Sequence, residues 1–223
     1  GGDGGAWEGA SHLEAGAVTE NYVTLAELRA WTGVDDSLDD DLLASALTAA
    51  ELAVEAWCGR KFTQDAGVTA ARMRPEAYDW LYLPAFRPGG TCTADISTLT
   101  GLIVKTDDND DGTFEITWTI TTDFEVEPFD GPPFNRIIAV GNRWFPMGLR
   151  RPAVQVTARW GWASVPEPVH TATLILAGEY AKLKDAPFGV AGFGEFGVVR
   201  IRQNPKVAEL LARYQHPMTA VVA

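Results

Sequence analysis

Tyr22-Val-Thr-Leu-Ala-Glu-Leu-Arg-Ala-Trp-Thr-Gly33, followed by Asp39-Asp-Asp-Leu-Leu-Ala-Ser-Ala-Leu-Thr-Ala-Ala-Glu-Leu-Ala-Val-Glu-Ala-Trp-Cys-Gly-Arg60, reads as two helices joined by an acidic turn. Thr24 and Glu27 form the capping-box pair, in which the hydroxyl accepts an orphan backbone N–H and the carboxylate reaches back. Gly33 and Gly59 sit where a helix needs a left-handed residue to end. Asp35, Asp36, Asp39, Asp40 and Asp41 gather before the second helix, at the positive end of its dipole. At 100° per residue, Leu42, Leu43, Ala46, Leu47, Ala50, Ala53, Val54 and Trp57 share an arc of about 140° and make a buried face. Ser45, Thr48, Glu51 and Glu55 fall opposite, on the side expected to meet solvent. Leu52 and Ala49 are also off the buried arc, which marks Leu52 as a candidate contact with a neighbouring subunit.

Outward from this pair the chain changes language. Residues 63 to 164 are rich in Thr, Val, Ile, Tyr and Trp between turn signals, and predict strands at Tyr78–Leu83, Leu102–Thr106, Thr113–Thr119, Phe124–Glu127, Arg136–Val140 and Ala153–Arg159. Trp80, Trp118, Trp144, Trp160 and Trp162 lie in or beside these strands, as core aromatics or as platforms for stacking on carbohydrate. Helix returns after Val165-Pro-Glu-Pro168, with a stripe of Val169, Ala172, Thr173, Leu176, Tyr180 and Leu183, while Leu174 and Ile175 fall off it. Val198-Val-Arg-Ile-Arg202 alternates as a strand. Asn204 and Pro205 then open a last helix whose apolar residues are Val207, Leu210, Leu211 and Tyr214. The expected fold class is α+β: a helical bundle from residues 22–62 and 165–216, an antiparallel β subdomain inserted at 63–164, an extended N-terminal arm at 1–21 and a C-terminal tail at 217–223. Trp7 and Leu13 are the arm's candidate anchors.

Composition narrows the function. With 18 Lys and Arg against 30 Asp and Glu, the formal net charge is −12, which opposes binding to nucleic acid by phosphate neutralisation but suits a wall past which DNA slides. Cys58 and Cys92 form no CxxC or Cys/His cluster and read as reduced thiols. No apolar run approaches the ~20 residues of a membrane span, and no basic-then-apolar signal segment is present.

Three motifs bear on chemistry. Gly192-Phe-Gly194-Glu-Phe-Gly197 matches GxGxxG, but a helix precedes it and a strand follows, the reverse of a dinucleotide site. Its glycines read as freedom around Phe188, Phe193 and Phe196, which are candidate docking anchors or parts of a loop folded on its own subunit. Asp107-Asp-Asn109-Asp-Asp111-Gly112-Thr113 reproduces the first half of a calcium loop, with Asp107, Asn109 and Asp111 as alternating oxygen ligands. Position twelve is Trp118 rather than a bidentate carboxylate, so an acidic hairpin turn stands beside weak calcium binding as a reading. His12, His170 and His216 are scattered without a nucleophile, GxSxG or HExxH, and no enzyme is expected.

The order of several segments resembles the head-to-tail connector (adaptor) proteins of long-tailed, siphovirus-type bacteriophages. They are Tyr22 to Asp36, Asp40-Asp-Leu-Leu43 and Val54-Glu-Ala-Trp-Cys-Gly-Arg60. Val165-Pro-Glu-Pro-Val-His-Thr-Ala-Thr-Leu174, Glu179-Tyr-Ala-Lys-Leu-Lys184 and Phe193-Gly-Glu-Phe-Gly-Val-Val-Arg200 are similar to the versions in phages of actinobacteria. The resemblance implies a homo-oligomeric ring, typically of twelve subunits, assembled in the host cytoplasm and located in the virion at the capsid–tail junction. The ring docks below the portal protein, meets the next connector or tail-completion protein, and extends the channel through which DNA passes without specific binding. It implies no cofactor, no membrane and no catalysis, and it associates the C-terminal part, here Val207, Leu210, Leu211 and Tyr214, with portal contact. The competing readings are another connector or head-completion ring protein and a calcium-dependent glycan-binding module.

Overall fold

A computed structural model describes residues 22–33, 39–86, 93–182, 201 and 204–218. Four helices of the described residues share one apolar core. Helix α1 spans Leu25–Thr32 and starts with both halves of the capping box: the Glu27 N–H donates to Thr24 Oγ1 at 3.2 Å and the Thr24 N–H donates to Glu27 Oε2 at 2.7 Å. It ends at Gly33, whose φ of +71° is left-handed. Helix α2, Asp40–Cys58, ends the same way at Gly59, and an ion pair between Arg29 and Asp40 ties the two together. Helix α3 is Glu167–Ala181 and α4 is Pro205–Leu211, continued by a 3₁₀ turn over Ala212–Tyr214. The expected cap on α4 is present, with Asn204 Oδ1 accepting from the Val207 N–H at 3.3 Å. Leu28, Leu43, Leu47, Val54, Val169 and Leu176 are among the residues that fill this core.

The α2 face is mostly as the periodicity predicts: Leu43, Ala46, Leu47, Ala50, Ala53 and Val54 are buried, while Leu42 and Trp57 are half-buried. The polar face needs a correction. Glu55 is buried rather than solvated, because the hydroxyl of Tyr22 donates to it at 2.6 Å and brings the chain before α1 across that side of the helix.

Among the described residues seven strands follow α2: β1 Thr69–Met73, β2 Trp80–Tyr82, β3 Ile96–Thr106, β4 Ile116–Trp118, β5 Phe124–Glu127, β6 Arg136–Ala139 and β7 Val154–Trp160. They form two antiparallel sheets, β1-β7-β3-β4 and β2-β6-β5. Between them lies a second core that includes Leu81, Ile96, Phe124, Ile137, Phe145, Val156 and Trp160. Strand β7 alternates strictly, with Val154, Val156, Ala158 and Trp160 buried.

The strand expectations for this segment need three changes: one strand went unpredicted, one starts earlier than expected, and the one expected from Thr113 starts only at Ile116. Strand β1 carries two alanines and an arginine, weak strand formers, and is held as an edge by pairing with β7. Strand β3 begins six residues before Leu102, because its pairing with β7 shifts register between Ile96, Thr98 and Ile103 and so accommodates Gly101 at φ +80° instead of stopping there. Of the stretch expected as a strand at Val198–Arg202, Ile201 is helical and buried in the helical core, and its companions lie outside the described residues.

The two ends of the β segment meet. The Asp65 N–H donates to the Trp160 carbonyl at 2.9 Å, and the Trp160 indole N–H donates to the Thr69 carbonyl at 3.1 Å. At Gly161 the approach is so close that a Cβ would lie 1.9 Å from the Thr63 carbonyl oxygen.

Candidate assembly surfaces and polar clusters

One polar cluster of the helical part is turned inward. The Tyr22 hydroxyl donates to Glu55 Oε1 and accepts the Phe62 N–H at 2.8 Å, while the Tyr22 N–H donates to Glu51 Oε1 at 2.7 Å. Burial pushes the Glu51 carboxyl up to about 7, and it raises Glu55 and the Tyr22 phenol as well. Sequence spacing concealed this trio, because Tyr22 reaches a helix whose periodicity marks both glutamates as solvated.

A second buried cluster joins the two cores. Arg60, one residue past the Gly59 cap, pairs with Asp95. Trp162 donates its indole N–H to the other Asp95 oxygen at 3.0 Å, and the Arg60 guanidinium carbon lies 5.7 Å from the Trp162 ring centroid. Burial raises the Asp95 carboxyl although Arg60 and Trp162 oppose the shift. Phe62 packs against this junction, 5.2 Å from Trp162, 5.9 Å from Tyr22 and 6.0 Å from Tyr214 between ring centroids. His216, whose main-chain N–H donates to the Cys58 carbonyl, has its imidazole pushed down to about 4, by burial first and then by Arg60. Burial lifts the Cys58 thiol to about 12, so it is a packed thiol rather than a nucleophile. Cys92 lies outside the described residues.

The surface shows what the helices leave uncovered. Leu52 is 46% exposed on α2, and Ala49 is half-buried against the core. A groove of about 650 Å³ runs between α3 and α4, lined by Pro168, Thr171 and Ile175 on one side and by Lys206, Glu209, Leu210, Arg213 and Tyr214 on the other. Ile175, off the α3 stripe, lines the groove, and both it and Leu174 pack against the core. Among the residues expected to touch the portal or a neighbour, Leu210 and Tyr214 line this groove. Val207 and Leu211 do not: both are 0% exposed, because their side of α4 is the side that packs on this subunit's own core. Phe188, Phe193 and Phe196, with the glycine-rich motif around them, and His12 lie outside the described residues. His170 Nε2 sits 3.3 Å from Glu27 Oε1 between α3 and α1.

On the β part, Trp118 and Trp160 are buried, Trp80 is half-buried and Trp144 is exposed; Trp162, half-buried, belongs to the junction. Phe129 and Tyr78 are also exposed. The acidic stretch connects β3 to β4. There Asp107 is buried, and one oxygen each of Asp107, Asp111 and Glu115 lies within 4.8 Å of the others. Glu115 went unnoticed in the sequence because a helical calcium loop draws attention to position twelve. Asn109 approaches as a donor, its amide nitrogen 3.1 Å from Asp111 Oδ2. Among the described residues no helix is long and apolar enough to cross a membrane.

No family model and no curated protein matches the chain. Solved structures do. The chain is similar to a component of the neck of an empty gene transfer agent (GTA) particle computed with C6 symmetry, at 20% identity and a TM-score of 0.53, over 89% of this chain and 92% of that one. It is equally similar to a component of the virion of a native GTA particle, at 20% identity and a TM-score of 0.54, over 90% and 93% of the two chains. These likenesses show a shared fold across nearly the full length of both partners, and the fold of this chain is α+β.

Proposed function

We propose that this chain is a structural protein of a phage-like particle, a head-to-tail adaptor that forms a homo-oligomeric ring beneath the portal and extends the DNA channel toward the tail. The observation that carries the reading is the end-to-end match to components of a GTA neck and virion, which agrees with the resemblance of Tyr22–Arg60 and Val165–Lys184 to adaptors of long-tailed phages. Surplus apolar surface on the helices, at Leu52 and in the Ile175–Leu210–Tyr214 groove, supports side-by-side packing of subunits. A ring of twelve is compatible with the sixfold symmetry used for the neighbouring neck. The formal charge of −12 favours a channel wall that repels the DNA backbone. The adaptor works by shape and packing, without catalysis, and its other face receives the next connector or tail-completion protein.

Native mass spectrometry and negative-stain microscopy of the purified chain, alone and mixed with its particle's portal, test this. Rings, or a stoichiometric portal complex, are the expected result. A chain that stays monomeric and ignores the portal at assembly concentration and salt overturns it, and density for the chain one layer further from the capsid reassigns it to another connector ring.

A further inference from the structure

We propose that the loop between β3 and β4 is a calcium site, with Asp107, Asp111 and Glu115 supplying carboxylate oxygens to one ion. Asp107 carries the argument. It is 1% exposed, its Oδ2 accepts the Gly112 N–H at 2.8 Å, and its Oδ1 is buried without any donor. A buried carboxylate oxygen with no partner is costly to keep, and a cation would satisfy it.

The geometry around it agrees. Two oxygens bound to one calcium at about 2.3–2.6 Å are at most about 5.2 Å apart, and the Asp107, Asp111 and Glu115 oxygens fall within 4.8 Å of one another. The carboxylates are already gathered by donors that a cation would displace or reinforce: Thr113 Oγ1 donates to Asp111 Oδ1 at 2.6 Å, and it also contacts Glu115, while the Asn109 amide nitrogen bridges Asp111 and Glu115. The opposing charge nearby is Arg151, whose Nη1 donates to the main-chain carbonyl of Asp111 at 2.8 Å and so braces the loop from its backbone. Gly112, at φ +93°, makes the bend that lets the ligands converge.

The donor set selects the metal. All three ligands are hard oxygens, with no imidazole or thiolate, which favours calcium or magnesium over zinc and copper. An irregular loop with two exposed carboxylates tolerates the six to eight oxygens of calcium better than the tight octahedron of magnesium. Trp118 is buried in the sheet core at the position where a helical loop places its bidentate glutamate, so affinity belongs with the weaker sites, a Kd on the order of 10⁻⁴–10⁻³ M.

Calorimetric titration of the full chain with calcium chloride at fixed ionic strength should give one saturable site in that range. At ten times Kd the melting temperature should rise by about 3–6 °C. Asp111→Asn and Glu115→Gln, both at exposed positions, should fold as the parent and lose at least about tenfold in affinity; Asp107→Asn is the third variant, interpreted only if its circular dichroism is unchanged. Three results overturn the site: no saturable heat up to about 20 mM calcium, twentyfold above the weak end of that range; a melting shift that persists in the Asp111→Asn, Glu115→Gln double variant; or magnesium binding as tightly as calcium.

Discussion

The Tyr22 cluster of the helical part and the ion pairs on the sheets treat their ionisable groups in opposite ways. Around α2, Glu55 and Tyr22 are buried beside half-buried Glu51, bonded to one another and to backbone, and burial pushes both carboxyls toward the neutral form. In the sheets, acids meet bases at the surface: Glu127 pairs with Arg136 across β5 and β6, and Asp123 accepts from Arg143 at 2.9 Å. The Thr119 N–H and Arg143 hold the Asp123 carboxyl below its usual range. Glu51 in the first group and Asp123 in the second therefore respond to pH with opposite sign.

The bond between the units is the place to break the comparison, and it carries the largest expected effect. Asp95→Ala leaves Arg60 buried beside Trp162 without its carboxylate, a type of loss that costs about 3–5 kcal/mol. For a chain of this size that is a fall of roughly 6–20 °C in melting temperature. Chemical unfolding followed by tryptophan fluorescence and far-ultraviolet circular dichroism should separate into two transitions, since the aromatic β core and the helices no longer share a buried pair. If the two probes stay superimposed and the loss is under about 1 kcal/mol, the junction is not what couples the units.

The pH response sharpens the contrast. Glu51 rises from an unfolded value near 4.5 to about 7 when folded, so the folded state holds the proton more tightly. Its contribution is fully present below pH 4.5 and is lost as pH rises through 7. Asp123, lowered when folded, contributes above the ordinary carboxylate range and is lost in acid. Melting followed between those limits should show the helical signal weakening as pH rises. Glu51→Gln keeps an oxygen for the Tyr22 N–H and removes the charge, so it should flatten that trend while Glu55 retains part of it. An unchanged slope in this variant rules out Glu51 as its source.

What was legible in the sequence follows the range of the interaction that decides each element. The Thr24–Glu27 and Asn204–Val207 caps act within three residues, and the helices they start are where the sequence puts them. Strand β7, buried on one face, announces itself by alternation. The Tyr22–Glu55 bond joins residues 33 apart and the Arg60–Asp95 pair residues 35 apart, and no local pattern reports either. The same limit explains Val207 and Leu211: periodicity identifies an apolar side of α4 but not whether this subunit or another covers it. Asp107, Asn109 and Asp111 were legible as alternating oxygens, but that Asp107 is sealed and that Glu115 joins it depend on how β3 and β4 pair.

The smallest effect on folding is expected at Leu52, and it bears most directly on function. Its side chain is nearly half exposed on α2, away from the face formed by Leu43, Leu47 and Val54. Leu52→Asp should therefore change the stability of the isolated subunit by no more than about 0.5 kcal/mol, as for surface positions generally. In a ring the same residue would place a carboxylate in an apolar contact, where an unpaired charge is strongly disfavoured. Ring formation should fall by an order of magnitude or more in concentration dependence, read by analytical ultracentrifugation. Leu47→Ala, in the core, provides the reverse pattern: a loss of about 2–5 kcal/mol in folding with assembly of the surviving folded fraction intact. A Leu52→Asp chain that assembles like the parent would mean that α2 serves only its own core, and the ring contact would then have to be sought at the α3–α4 groove.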